Sequence, residues 1–492
     1  MAELAVLTAL RIEALAVRRK VTVTGMGRTS AINSTTKLAG RLDENTVVGI
    51  AGVAGALDPD LRPGQVVVAT ELLTTDGAPP RVLSSALVVA ADLRRAGLDV
   101  RCGPIVSVPT YARGRQRAEL AATGAVAVDM ESAWMVGSLG DRPIVVVRAI
   151  SDTADQGPVV GGLSALAALT RVRPTLERWA RTCRPRSVVL GAPRSFCAGV
   201  DRAIDTVERS LARFGSPVYV RRQIVHNSHV VSRLEGLGAV FVEELDEVPD
   251  GATVVLAAHG VSPEVHRQAA DRATLRVVDA TCPLVSKVHH EARQFASRGL
   301  PIVLIGHADH EEVQGTLGEA PGNIRLVERP EDVASLDIDP SGPVAYLSQT
   351  TLATDETDAI VELLGRRFAH LIGPKTQDVC YATDNRQDAV RSMAQACDLV
   401  LVVGSANSSN TLRLVEVARR EGCRAERIED HSQLRLEWLD GVATVGITAG
   451  ASAPEILVQQ LIDSLGSLGP LEVSEHRTRN ESIHFSLPKQ VR

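Results

Sequence analysis

Three cysteines, Cys197, Cys282 and Cys380, share one local setting. Cys197 follows an apolar run, Ser187–Leu190, and precedes a helical pattern that begins near Gly199. Cys282 follows Arg276–Val278 and is trailed by Pro283, a residue well suited to the first position of a helix. Cys380 follows Val379 and precedes the helical run Asn385–Ala396. Each is therefore expected between a strand end and a helix N-terminus, where the helix dipole favours the thiolate that binds metal. Nearly equal stretches of chain separate them, which suggests three similar α/β lobes converging on one point. Three thiolates would leave a coordination position open, as a catalytic centre needs, and would suit zinc or an iron–sulfur cluster. Placement alone equally allows three unrelated loop cysteines. The other four, Cys102, Cys183, Cys397 and Cys423, read as small core hydrophobes, and seven cysteines in 492 residues do not make a disulfide scaffold.

Polar groups recur at the same kind of place. His226, His259 and His310 each follow an apolar run, and Glu312 lies two positions beyond His310. Thr350 follows Val344–Ser348, Ser408, Ser409 and Asn410 follow Leu399–Val403, and Ser452 precedes Pro454. In open α/β sheets ligands bind outside the carboxyl ends of strands, and free N–H groups at helix N-termini favour phosphate. Histidines add donors that can carry charge. Together these loops suit a small diphosphate beside a metal centre. Taken singly, Ser409, Asn410 and Ser452 read as helix caps, His226 and His259 as satisfied buried side chains and Glu312 as a solvated carboxylate.

The elements that must position these groups are those of an α/β protein. Short Val/Ile-rich runs such as Leu4–Leu10, Thr46–Ile50, Gln65–Ala69, Ile144–Ala149, Thr253–Ala257 and Pro301–Ile305 alternate with helical patterns such as Val200–Phe214 and Thr411–Arg420, which predicts mostly parallel sheets. The length calls for more than one domain. The best boundary is the polar stretch Arg181–Arg186, giving domains at 1–182 and 187–478 and a polar tail at 479–492 that is expected to fray. A net charge of -6 argues against a nucleic-acid binder, and no apolar run is long enough to span a membrane. The first residues lack the pattern of a signal peptide, so a cytoplasmic location is expected.

The motifs resemble one family. Ala192–Ala203, Val225–Asn227, Ala258–Ser262, Asp279–Val285, Gly306–Thr316, Gln349–Leu352, Cys380–Gln387, Asn407–Asn410 and Thr448–Glu455 are similar, in order, to the 4-hydroxy-3-methylbut-2-enyl diphosphate reductases. The resemblance covers about Ser187 to Glu475. It implies a trilobed α/β reductase in which Cys197, Cys282 and Cys380 hold a 4Fe–4S cluster with one iron free for the substrate hydroxyl. It makes Glu312 the proton donor, Thr350 its relay, and His226, His259, His310, Ser408, Ser409, Asn410 and Ser452 the diphosphate and substrate ligands. The products would be isopentenyl and dimethylallyl diphosphate. No Gly-x-Gly-x-x-Gly fingerprint follows a strand, so a ferredoxin or flavodoxin is the expected electron donor. The sequence departs from the family pattern at Ser195, where glycine is usual, at Glu311, where proline is usual, at Asp384, where threonine is common, and at the variable Ala406. Glu311 and Asp384 add negative charge beside a diphosphate site.

Residues 1 to about 182 resemble nucleoside phosphorylases and methylthioadenosine nucleosidases, through Leu7–Ala14, Thr24–Gly27, Gly49–Leu57, Val128–Ser132 and Arg148–Asp155. That resemblance implies that Met130 and Glu131 contact a ribose, that Asp152 protonates a departing purine, and that Glu13 activates water or phosphate. Paired carboxyl groups suit cleavage of a glycosidic bond. A non-catalytic or interaction domain here, and a zinc-binding regulatory protein in place of the reductase, are the alternatives.

Overall fold

A computed structural model describes residues 3–17, 21–43, 45–153 and 157–492. Two residues of the nucleosidase-like motifs, Ala154 and Asp155, lie outside the described residues. The chain forms two compact units. One comprises Met1–Ser187 with Asp430–Ala443 and Gln459–Glu472, and the other Val188–Glu429, Thr444–Val458 and Val473–Arg492. The division is thus not a single cut in the chain. In the first unit Ser85 Oγ donates to Ser467 O at 2.6 Å, and Arg95 Nη2 to Leu434 O at 3.0 Å.

The first unit is built on an eight-stranded sheet. Its strands Val47–Ala56, Ala127–Asp129, Val100–Ser107, Val66–Thr74 and Ile144–Asp152 pair successively and close on one another. Ile144–Asp152 is buried along its whole length, the apolar Ile144–Val147 as well as the polar Arg148, Ser151 and Asp152. Among the described residues most pairs here are parallel, as expected, but three are not: Gly55 opposes Val128, Val66 opposes Ala149 and Glu71 opposes Val82 in antiparallel register. Closure lets Ile144–Asp152 join a parallel and an antiparallel neighbour at once.

The second unit repeats one sheet plan three times. In the first lobe the order is Ala239–Val242, Val218–Arg221, Thr253–Leu256, Arg276–Asp279, with every pair parallel. In the second it is Ile324–Val327, Ile302–Ile305, Pro343–Ser348, His370–Ile372, again all parallel. In the third it is Arg424–Ile428, Leu399–Val403, Thr444–Ala449, Arg186–Ala192, with Leu471–Arg477 added at the edge. The fourth strand of this last lobe is the first strand of the unit, so the three repeats form a closed cycle.

The helices seal that cycle. Helix Ala198–Phe214 leaves the third lobe and buries Ala203, Ile204 and Val207 against Val218, Val220 and Val255 of the first. Helix Pro283–Ser297 leaves the first and packs Val288, Ala292 and Phe295 on Ile302, Leu304 and Leu347 of the second. Helix Tyr381–Ala394 leaves the second and packs Val390 and Met393 on Val400 and Val402 of the third. Each full burial of a Val or Leu side chain contributes on the order of 1.5–3 kcal/mol. The residues read as a linker shrink to three, since one helix runs to Thr182 and the next strand starts at Arg186. The polar tail is anchored: Leu487 and Val491 pack in the core of the first lobe, Val491 at 3% exposure.

Candidate active site

The lobe plan dictates where chemistry can gather. In each lobe the first strand lies between the second and third, so the crevice at the switch point opens between the loops after strands one and three. His226 and His259 occupy those loops in the first lobe, His310 with Glu312 and Thr350 in the second, and Ser408, Ser409, Asn410 and Ser452 in the third. The fourth strands, Arg186–Ala192, Arg276–Asp279 and His370–Ile372, lead to Cys197, Cys282 and Cys380. All twelve of these side chains line one cavity of about 780 Å³.

Each cysteine is the N-cap residue of its helix, as the sequence leads one to expect. The dipole does not dominate their titration, however. Burial pushes the Cys197 thiol up, that of Cys282 up to about 12 and that of Cys380 up to about 11. A thiol so held gives up its proton when a metal compensates the charge. Cys380 Sγ accepts the Thr383 N–H at 3.3 Å and lies 3.1 Å from its hydroxyl. Gly199 leaves room for Cys282: a Cβ there would lie 2.8 Å from its Sγ. The donor set, its enclosure and that cleared space fit an iron–sulfur cluster. Among the described residues no three His, Cys, Asp or Glu side chains gather tightly enough to hold a single ion.

The polar wall is interlocked. His226 stacks on His259 at 4.1 Å between ring centroids, and His310 meets both edge-on at 5.7 and 5.8 Å. Burial, with the neighbouring histidines, pushes His226 down to about 2 and His310 down to about 3. Ser408 caps its helix through the Thr411 N–H at 3.3 Å. Asn410 instead accepts the Ala451 N–H at 2.9 Å, and Ser452 donates to His226 O at 3.1 Å. Ser409 accepts from Thr351 at 3.1 Å. Glu312 is 2% exposed, and burial raises its carboxyl against two hydrogen bonds from Thr350. Glu311 adds no free charge, since it faces Arg222 Nη1 and His259 Nδ1, each at 3.5 Å. Asp384 accepts from Thr354 at 2.9 Å. Ser195 holds φ 59, a left-handed conformation that explains why glycine is usual there.

A second cavity lies in the first unit, lined by Glu13, Met130, Glu131 and Asp152 together with Tyr111, Arg117 and Asp129. Glu13 accepts the N–H groups of Leu10 and Val53, both at 2.8 Å. Arg148, with no exposure, pairs with Asp129 at 2.8 Å and reaches Glu131 at 3.7 Å. Burial pushes Glu131 up to about 7 against that cation. Asp152 is an ion-paired acceptor: Arg117 pairs with it, Tyr111 donates at 2.8 Å and Ser151 at 2.7 Å. The sequence reading did not single out Arg117 or Arg148. An arginine inside the apolar strand Ile144–Asp152 is the signal that marks the second.

Residues 188–466 match the family model described as LytB protein. The chain belongs to the LytB family. Residues 9–177 match the phosphorylase superfamily, so a phosphorylase-like segment precedes the LytB portion. Among curated LytB relatives, the 4-hydroxy-3-methylbut-2-enyl diphosphate reductase of Cutibacterium acnes is 57% identical over 311 residues, covering 63% of this chain and 96% of that protein. A reductase of the same name from Mycobacterium tuberculosis is 55% identical over 310 residues, covering 62% of this chain and 94% of that one. The solved structure of the E-1-hydroxy-2-methyl-but-2-enyl-4-diphosphate reductase from Plasmodium falciparum matches with a TM-score of 0.60 at 37% identity, over 63% of this chain and 97% of that one. No helix among the described residues is long and apolar enough to cross a membrane.

Proposed function

We propose that this LytB protein reduces 4-hydroxy-3-methylbut-2-enyl diphosphate to isopentenyl and dimethylallyl diphosphate on a 4Fe–4S cluster held by Cys197, Cys282 and Cys380. The observation that carries this reading is the convergence of the three cysteines, Glu312 with Thr350 and the three histidines on one cavity. When bound, the cluster would supply a Lewis-acidic iron for the hydroxyl group and a path for electrons. The chain's own residues do the rest. His226, His259 and His310 offer imidazole donors to the diphosphate, and Ser408, Ser409, Asn410 and Ser452 offer hydroxyl and amide groups from the opposite lobe. Glu312 delivers a proton to the departing hydroxyl, with Thr350 fixing its carboxyl and relaying protons. The apolar flank of Val225, Ala258, Leu284 and Phe485 keeps water from the isoprenoid end. Reducing equivalents would come from a ferredoxin or flavodoxin. The test is anaerobic turnover of the hydroxylated diphosphate with a chemical reductant: both products are expected, and no conversion by cluster-loaded protein would overturn the reading.

The first unit supports a second activity. Glu13, Glu131 and Asp152 share a cavity with Met130, an arrangement suited to cleaving the glycosidic bond of a purine nucleoside. Because Arg117 occupies the Asp152 carboxylate, protonation of a departing base requires that pair to open. Release of free purine by the wild type, lost in Asp152→Asn, is the expected result. Equal release by both proteins would remove Asp152 from the role.

A further inference from the structure

Each cysteine helix carries a cation in its first turns, and each cation reaches the loop that leads into the next cysteine. On the Cys197 helix, Arg202 Nη1 donates to the carbonyls of Ala280 at 2.9 Å and Thr281 at 3.0 Å, immediately before Cys282. On the Cys282 helix, Lys287 Nζ donates to Thr376 O at 2.6 Å, Gln377 O at 3.2 Å and Asp378 Oδ1 at 2.8 Å, just before Cys380. On the Cys380 helix, Arg386 donates from Nε and Nη2 to Ser195 O at 3.2 and 2.8 Å and from Nη2 to Phe196 O at 3.3 Å, immediately before Cys197. The three links form a closed ring.

The C-terminal segment clasps two of them. Glu481 accepts from Arg386 Nη1 at 3.1 Å, and Ser486 O accepts from Arg202 Nε at 2.9 Å. Between these points Phe485 forms part of the cavity wall. Arg386 has no exposure, so its charge is committed to this arrangement. Burying a guanidinium is costly unless its donors are satisfied, which here are met by carbonyls and one carboxylate.

We infer that Arg202, Lys287 and Arg386 are a cyclic set of positioning residues. They fix the separation of the three cysteines and offset the charge of the thiolates once a cluster is bound, and the segment from Glu481 to Ser486 locks the ring. The inference rests on the iron–sulfur reading above. Its physical basis is that groups outside the ligand shell hold ligands in register, and that charge and hydrogen bonding around a cluster set its potential.

The test compares full-length wild type with Lys287→Met, Lys287→Arg, Arg202→Met and Glu481→Gln, all purified without oxygen. Iron and sulfide per chain, the rate of iron transfer to a chelator, the cluster's reduction potential and the melting temperature of the apo-protein are measured. Lys287→Met and Arg202→Met are expected to lose iron roughly 10-fold to 100-fold faster, the usual effect of removing a group that supports a ligand. Their potentials should move negative, and Lys287→Arg should restore most of both properties. Glu481→Gln should release iron faster by a smaller factor and, because it removes a negative charge beside Arg386, move the potential positive. Iron release and potential equal to wild type in both methionine variants would overturn the ring. So would faster release that follows apo-protein melting alone, with no recovery in Lys287→Arg. A wild type that holds no cluster would overturn the iron–sulfur reading itself and the ring with it.

Discussion

Both oxygens of the Glu312 carboxyl are held by one residue: the Thr350 N–H reaches Oε1 at 2.7 Å, and its hydroxyl reaches Oε2 at 2.9 Å. Glu312 opens the helix Glu311–Glu319, and Thr350 follows the strand Pro343–Ser348 of the same lobe. The two loops flank the switch-point crevice, so the acid is aimed by the sheet rather than by a mobile segment. An amide at this position keeps the shape and cannot donate an acidic proton. Glu312→Gln is expected to lower turnover by about 10²–10⁴, the usual worth of a general acid, while iron content stays unchanged. Thr350→Val removes one of the two bonds and should cost less. Turnover that survives Glu312→Gln would assign the proton to another group.

Two of the cavity histidines set a pH dependence. Burial leaves His226 at about 2 and His310 at about 3, so both are neutral in the empty site near neutral pH. A diphosphate between them favours the protonated imidazoles, so their pKa values rise on binding and protons are taken up. Affinity should therefore increase as pH falls. Calorimetric titration in buffers of different ionisation enthalpy measures the uptake directly, and binding without proton uptake would contradict the assignment.

Gly199 gives a steric test of cysteine placement. Alanine is usually better than glycine within a helix by roughly 0.5–1 kcal/mol. Here the added Cβ would lie 2.8 Å from Cys282 Sγ. Gly199→Ala is expected to weaken iron retention without a matching loss of melting temperature. Full iron content in this variant would show that Cys282 can shift at no cost.

In the first unit, Arg148 holds Asp129 and Glu131 together below the second cavity. Arg148→Met strands two buried carboxylates and should destabilise the unit by about 3–5 kcal/mol, read as a lowered unfolding midpoint. Stability equal to wild type would mean that these carboxyl groups take up protons or solvent instead.

Much of the site was legible because the fold writes it locally. A cysteine between an apolar run and a helix start, or a histidine directly after a strand, carries its position in its neighbours, and the structure brings all twelve such residues to one cavity. What the sequence could not show depends on partners distant along the chain. Arg202, Lys287 and Arg386 bind backbone carbonyls, which have no residue-type signature. The tail looked like a polar end because Phe485, Leu487 and Val491 are isolated apolar residues whose partners lie in other segments. The titration of the cysteines has a similar origin: the helix dipole is read from local sequence, whereas the burial that outweighs it comes from the surrounding fold. The antiparallel pairs Gly55–Val128 and Val66–Ala149 belong to the closed part of the first unit's sheet, which no single strand records.

The central claim is tested most directly by iron and acid-labile sulfide content of the full chain purified without oxygen, beside Cys197→Ser. About four irons with matching sulfide per chain in the wild type, lost in the variant, is the predicted result. Zinc without sulfide, in protein from a host able to assemble clusters, would contradict the reductase account and favour a zinc-binding role for the three cysteines.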